Sequence, residues 1–172
     1  RIAVTRTVAN DFRAAEEERA LSRTLARAAG TITANLFDDD GVTIGLLNVR
    51  YYPELDVTQA EARALSEVEV QALDASVEEG IRLALELAGI SITSWAGTAP
   101  RNVNGLETFV SEYQRVGISG AGRVRLVRVL AAERSFTLTI SYAEEHEELL
   151  QPMTDRIIAS IALYGIVPPS GP

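Results

Sequence analysis

Residues 135–142 alternate strictly between polar and apolar side chains. Phenylalanine, leucine, isoleucine and tyrosine occupy the even positions, and serine or threonine occupies every odd position. A period of two predicts a β-strand with one apolar face and one polar face. Three more strand-like segments lie between Gly89 and this one, and short turns join them. Because short connections demand antiparallel pairing, this part of the chain is expected to form an antiparallel sheet.

The same pattern predicts further strands and the turns between them. Asp38 to Gly41 favours a hairpin turn, since Asp-Gly is typical of tight β-turns; it lacks the ligand order of a calcium loop. Ala99 to Gly105 is expected to form a loop, because it contains a proline and an Asn-Gly pair. The predicted strands cover residues 2–8, 31–37, 42–52, 90–98, 106–118, 123–131 and 135–142.

Three segments have the apolar spacing of helices. Thr58 and Glu61 match the capping box, which predicts a helix start. We interpret the helix that follows as continuous, because no glycine or proline interrupts residues 58–79. The alternative is a break near residues 74–76, where Ser76 and Glu79 repeat the capping-box spacing. The predicted helices cover residues 10–29, 58–88 and 144–164.

The length and composition indicate one globular domain. The chain has 172 residues, of which 47% are hydrophobic and 23% are charged, so it is too apolar to stay disordered. We predict a single α+β domain over residues 1–166, with an antiparallel sheet sandwiched between or covered by helices in α/β/α layers. The proline-rich tail at 167–172 is expected to be disordered.

Several classes of chemistry are disfavoured by what the chain lacks. It has no cysteine, no lysine and one histidine, His146. A disulfide framework and a P-loop lysine are therefore excluded, and a zinc site or a Ser-His-Asp triad must depend on one imidazole. We expect no metal and no cofactor. The net charge of −8 disfavours nucleic acid, and no apolar run is long enough to predict a membrane span.

Two charged groups allow both a functional and a structural interpretation. The glutamates at 144, 145, 147 and 148 surround His146 and contain metal-ligand chemistry. Carboxylates at a helix N-terminus are, however, stabilised by the helix dipole without any metal, and we favour that interpretation. Arg123, Arg125 and Arg128 lie on one predicted strand and have the chemistry to bind an acidic partner. Ion pairs with the many glutamates are the favoured interpretation.

An aromatic cluster is the strongest candidate for a binding surface. The alternation of side chains along a strand places Trp95 on the face opposite Ile90 and Ile92. On the next strand it places Phe109 and Tyr113 on one common face. One interpretation is a core layer beneath a helix, such as 10–29, with Trp95 mostly buried. The other is a groove for a ligand or partner, with Arg101 and Arg115 at its edge.

The order of elements after residue 90 resembles a known superfamily. A strand leads to the Asn104-Gly105 turn, and a long strand follows that carries Tyr113. A hairpin then pairs 124–129 with 136–142, and the last helix ends in Ile-Ile-Ala-Ser-Ile at 157–161. This layout resembles the PsbP/DcrB-like superfamily, which includes the Mog-type Ran-binding proteins, most clearly over residues 90–162. The resemblance implies an antiparallel sheet between helical layers and roles in binding and assembly rather than catalysis.

These observations predict a function of the binding class. We expect a non-enzymatic binding or assembly module for a protein partner or small ligand, periplasmic or secreted rather than cytoplasmic. Neither nucleic acid nor a cofactor is among its expected partners, and association with a second copy of the chain remains open. The alternative is a hydrolase that uses the acidic cluster around His146.

Overall fold

The computed structural model describes most of the chain. The described residues are 2–8, as a backbone strand, and 30–53, 57–118, 120–131 and 134–162. The helix predicted for 10–29 and the tail at 167–172 lie outside them. No helix within these described ranges is both long and apolar enough to cross a membrane.

Seven strands form one antiparallel sheet, and with the helices they make an α+β fold. The strand order across the sheet is β1-β2-β3-β7-β6-β5-β4, and each hydrogen-bonded pair of neighbours is antiparallel. The predicted strands are all present. Their bounds are β1 (Ile2–Val8), β2 (Gly30–Phe37), β3 (Thr43–Tyr52), β4 (Ser91–Val103), β5 (Leu106–Gly117), β6 (Gly120–Leu130) and β7 (Ser135–Ala143).

The loop predicted for residues 99–105 is wrong. Strand β4 continues to Val103, and only Asn104 and Gly105 turn the chain, with φ angles of 51° and 84°. Pro100 is tolerated inside β4 because this strand has a neighbour on one side only within the described sheet. A proline without an N–H therefore removes no bond that the sheet needs.

The prediction of one continuous helix over 58–88 is also wrong. The chain forms two helices, α1 (Gln59–Ala64) and α2 (Glu67–Glu86), with Leu65 and Ser66 between them. Thr58 and Glu61 form the predicted capping box. A second capping box joins Ser66 and Glu69, so α2 starts at Glu67, well before the alternative break at 74–76. Ser66 supplies the cap that a new helix start needs.

The last helix is shorter than predicted. A 3₁₀ turn covers Glu144–His146, and α3 covers Glu147–Ala159. Pro152 lies inside α3 and does not divide it. It forgoes only the bond to the carbonyl of Glu148, a residue that is exposed to water.

Side chains alternate between the two faces of the sheet, and α3 contacts one of them, called here the α3 face. Val110, Val127, Val129 and Ile140 from the central strands form a buried cluster with Ile158 of α3. A second buried cluster joins α3 to the start of β3 and the end of β7 through Leu150, Ile44 and Tyr142. The α3 face therefore contains the largest apolar cluster in the described residues.

The opposite face, called here the α2 face, contacts α1 and α2. Phe109 and Leu130 of the sheet pack with Ala62 of α1, and Leu73 of α2 lies at the border of this cluster. Helix α2 continues along the edge strand β4. The two faces thus receive helices from different parts of the sequence, and the candidate sites lie at the borders of these helices.

Candidate functional site

The predicted aromatic cluster contains one stacked pair. Trp95 and Tyr113 are direct partners across β4 and β5, and their rings stack with centroids 5.7 Å apart and an interplanar angle of 21°. Tyr113 is 8% exposed, whereas Trp95 on the edge strand is partly exposed. Burial raises the pKa of the Tyr113 phenol, and the charge of Arg115 partly opposes that rise.

A carboxylate of α2 holds the edge strand beside this pair. Asp74 Oδ1 accepts hydrogen bonds from Trp95 Nε1 at 2.9 Å and from the backbone N–H of Thr98 at 2.6 Å. Between these two donors the strand register shifts, and Gly97 takes a φ of 105°. The bulge turns the N–H of Thr98 toward the helix, so one carboxylate satisfies two donors. Among the described residues, the helix beside Trp95 is therefore α2.

The other residues predicted for the groove are dispersed. Phe109 lies four positions along β5 from Tyr113, where it contacts α1. Arg115 lies two residues after Tyr113 on β5 and therefore on the same face of the sheet. Arg101 is exposed and pairs with Thr108, which alternates with Phe109 and so faces the opposite side of the sheet. The structure does not bring Arg101 and Arg115 together at one groove edge.

A polar cavity of about 110 Å³ lies on the α3 face near the start of α3. Arg125 lines it and pairs with Glu112 at 2.8 Å and with Asp155 of α3. Burial alone lowers the pKa of Arg125, but the hydrogen bonds and charges of Asp155 and Glu112 outweigh it, so the pKa is raised. The arginine is therefore fixed between two carboxylates and stays charged.

Arg123 lines the same cavity in a less complete arrangement. Its Nε lies 2.9 Å from Glu147 Oε2, close enough for an ion pair, yet this buried atom has no hydrogen bond of acceptable geometry. Tyr142 also lines the cavity. The pKa of the Tyr142 phenol is raised, mainly by burial and secondly by the negative charge of Glu147. The cavity presents donors and acceptors of both charge signs, which suits a small polar ligand or ordered water.

These ion pairs agree with the interpretation that Arg123 and Arg125 pair with carboxylates. The cavity between these two arginines is not predicted by the sequence. Its position depends on where α3 crosses β6 and β7, and no spacing in the sequence shows that. The signal that exists is the phase of β6, since both arginines share a face with Val127 and Val129.

The acidic cluster does not converge on His146. His146 Nε2 lies 3.6 Å from Glu145 Oε1, and Glu147 is directed to Arg123. Nowhere in the described part of the chain do three histidine or carboxylate side chains gather as a metal site. At the β2–β3 turn, Asp38 Oδ1 accepts from the N–H of Val42 at 2.8 Å, so this aspartate closes the hairpin.

Comparisons with known proteins give a likeness of fold. No protein-family model matches the chain, and no curated protein matches it either. The solution structure of cyanobacterial PsbP (CyanoP) from Synechocystis sp. PCC 6803 matches with a TM-score of 0.61 and 10% identity. That match covers 94% of this chain and 82% of the cyanobacterial one.

A second match is weaker. The crystal structure of PA94, a protein of unknown function from Pseudomonas aeruginosa, aligns with a TM-score of 0.42 and 9% identity, over 95% of this chain and 83% of that one. The fold is inferred from the cyanobacterial structure alone. That alignment spans 94% of the chain, and the chain has a PsbP-like fold.

Proposed function

We propose that this protein is a non-enzymatic binding or assembly module that holds a protein partner or small ligand outside the cytoplasm. The observation that carries the proposal is the PsbP-like fold, which spans 94% of the chain in the comparison with cyanobacterial PsbP. The superfamily that the sequence resembles has binding and assembly roles. Function does not follow from fold alone, so the ionisable groups must be weighed separately.

The charged side chains near the centre of the sheet support a binding role. Arg125 and its partners Glu112 and Asp155 form a fixed network between β5, β6 and α3. A catalytic acid or base needs a free position beside the substrate. Here the central charges are used to join elements, which suits a rigid scaffold.

The arrangement of helices gives a second support. We infer α/β/α layering for the described residues, with α3 over one face of the sheet and α1 with α2 over the other. Ile158 on the first side and Ala62 on the second lie in separate buried clusters. A sheet covered in this way leaves its ends and edges as binding surfaces.

The test compares complex formation with metal uptake and turnover. The tagged chain is purified after gentle crosslinking from the cells that produce it naturally, and the mass of the eluted species is measured by light scattering. We expect a complex of fixed stoichiometry from an extracytoplasmic fraction. Calorimetric titration with zinc, manganese and calcium is expected to show no stoichiometric uptake.

The opposite result points to the hydrolase alternative. Stoichiometric metal binding that disappears in Glu148→Gln contradicts the proposal. So does hydrolysis of an ester, phosphate or glycoside substrate that disappears in His146→Ala. The matched control is Glu79→Gln on α2, which changes one exposed carboxylate far from the acidic cluster.

A further inference from the structure

We propose that one end of the sheet, called here the acidic end, binds a protein segment that is both basic and apolar. The acidic end is formed by the β2–β3 turn, the β5–β6 turn, the connection from α2 to β4, and the first turn of α3. This inference names a partner class for the proposed binding function and therefore rests on it.

The strand register shows that these four connections lie at the same end. Gly45, just after the β2–β3 turn, pairs with Tyr142 of β7, and Tyr142 pairs with Arg123 of β6. Ser91, just after α2, pairs with Val116 at the end of β5. Neighbouring strands are about 4.8 Å apart, so the two hairpin turns are separated by roughly 15 Å. One partner segment can therefore contact both.

Exposed apolar side chains are concentrated at this end. The described residues contain eight exposed large hydrophobic side chains, and six of them lie here; Ile118 is fully exposed, and Leu87 is 67% exposed. Single exposed apolar residues need no explanation, but a cluster of them indicates an interaction surface. The six are Val42, Leu83, Leu87, Val116, Ile118 and Leu149.

Exposed carboxylates surround these apolar side chains. Three arginines lie near this end: Arg82 pairs with Glu78, Arg123 pairs with Glu147, and Arg115 lies two residues before the end of β5. The six exposed acids outnumber these three cations. The excess of negative charge selects a basic partner through charge complementarity. It disfavours an anionic lipid surface and a second copy of the same end, because both repel it. The exposed acids are Asp39, Asp40, Glu86, Glu144, Glu145 and Glu148.

The opposite end of α2 shows a different surface. Of the eight exposed apolar side chains, Val68 lies there. Helix α1, which precedes this end of α2, carries Arg63, and Arg63 pairs with Glu107 at 2.7 Å. This end has no comparable apolar cluster among the described residues. Val68 and Glu67 therefore provide matched control positions for an apolar and an acidic substitution on the same helix.

The experiment measures binding of a fluorescein-labelled peptide made of Lys-Leu-Leu-Lys repeats by anisotropy. A peptide in which glutamate replaces lysine is the control ligand. We expect saturable binding of the basic peptide that weakens with added salt. The double variant Leu87→Ser with Ile118→Ser should bind about tenfold more weakly, as expected for loss of apolar anchors. Val68→Ser should bind like the wild type.

A second pair of variants tests the charge. Glu144→Gln with Glu145→Gln should weaken binding several-fold and reduce its salt dependence, about as expected for charges at the rim of an interface. Glu67→Gln should bind unchanged. All substituted side chains are exposed, and circular dichroism confirms that each variant is folded before its affinity is compared.

Four outcomes overturn the inference. They are equal binding of both peptides, unchanged affinity in the double serine variant, preferential binding of phosphatidylcholine vesicles, and a dimer that the serine variant abolishes. If a native partner co-purifies with the wild type and equally with the double serine variant, the acidic end is not its site, while the binding function itself stands.

Discussion

Helices α2 and α3 differ in how they are attached to the same sheet. Helix α2 has 20 residues and none of them is buried, whereas α3 has 13 residues and buries Leu150, Thr154 and Ile158. Helix α3 crosses the central strands, and α2 lies against the edge strand β4. The position of a helix over the sheet therefore determines how many of its residues are buried, more than its length or its apolar spacing does. We expect the free energy of local unfolding to be lower for α2 than for α3.

The largest expected effect is loss of a buried side chain from α3. Leu150 is 2% exposed and packs with Ile44 and Tyr142. Leu150→Ala should lower the free energy of unfolding by about 4 kcal/mol, because a buried leucine leaves a cavity that the core fills incompletely. Urea denaturation followed by circular dichroism measures this difference.

Two control variants allow the loss of stability in α3 to be compared with that in α2. Leu149 stands next to Leu150 on α3 but is exposed, so Leu149→Ala should change the free energy by less than about 0.5 kcal/mol. Leu73→Ala on α2 removes a partly buried side chain and should cost about 1–2 kcal/mol. If Leu73→Ala costs as much as Leu150→Ala, the proposed difference between the helices does not exist.

Replacement of the tryptophan tests how much packing α2 provides. Trp95 stacks on Tyr113 and bonds to Asp74, but it is partly exposed on an edge strand. Trp95→Ala should cost about 3 kcal/mol, the lower limit for removal of a large core aromatic. The measurement is again urea denaturation, and native fluorescence of the single Trp reports its exposure. Emission typical of full exposure to water, with easy quenching, contradicts this packing.

The strands could be predicted from the sequence because their information is local. Alternation of apolar and polar residues at 135–142 and short turns identify both the strands and their antiparallel pairing. The extent of β4 could not be predicted. Pro100 and the Asn104-Gly105 pair are loop signals, and only the edge position of β4 in the assembled sheet makes the proline harmless. Tertiary context overrides the local signal there.

The third prediction concerns the hydrogen bonds that fasten α2 to β4. Asp74→Ala leaves Trp95 Nε1 and the N–H of Thr98 without their acceptor, and it should cost about 2 kcal/mol, as for hydrogen bonds to a charged group. Amide hydrogen exchange should accelerate at Thr98 and along α2, while α3 keeps its protection. Uniform acceleration in both helices would show that α2 does not open separately.

The candidate site was less predictable than the fold. Trp95 and Tyr113 share a face because strand phase is local, and that inference needs no tertiary information. The sequence indicates for Asp74 only the alternative helix break at 74–76, because the role of this residue depends on a bulge at Gly97 that no sequence pattern predicts. Arg101 and Arg115 are predicted at one groove edge, but the alternation of side chains on β4 and β5 puts them on opposite faces of the sheet.

The fourth prediction tests the start of α2. Hydrogen bonds from Ser66, first through its side chain and then through its backbone, lower the pKa of Glu69 in the folded protein. A lowered pKa stabilises the fold above the unfolded pKa, about 4.3 for glutamate, and this contribution disappears as pH falls through the folded value. Ser66→Ala should cost about 1 kcal/mol at neutral pH.

The pKa itself is the sharper measurement. In a carboxyl NMR titration, Ser66→Ala should move the pKa of Glu69 back toward its ordinary value and leave the pKa of Glu61 lowered, because Glu61 depends on Thr58. Thr58→Ala should give the reciprocal result. If both pKa values move in either variant, α1 and α2 are not capped independently.

The smallest expected effect lies at the start of α3, where the chain has its one histidine. His146 makes one long contact, 3.6 Å to Glu145 Oε1, and its side chain is 30% exposed. It makes no side-chain cap to the helix. His146→Ala should therefore change the free energy of unfolding by less than about 0.5 kcal/mol, as for surface positions without special contacts. Parallel urea denaturation of the variant and of Leu149→Ala should give indistinguishable midpoints. A loss comparable to that of Leu150→Ala would mean that the imidazole anchors α3. Burial of side chains such as Leu150 would then not be enough to explain how α3 is attached to the sheet.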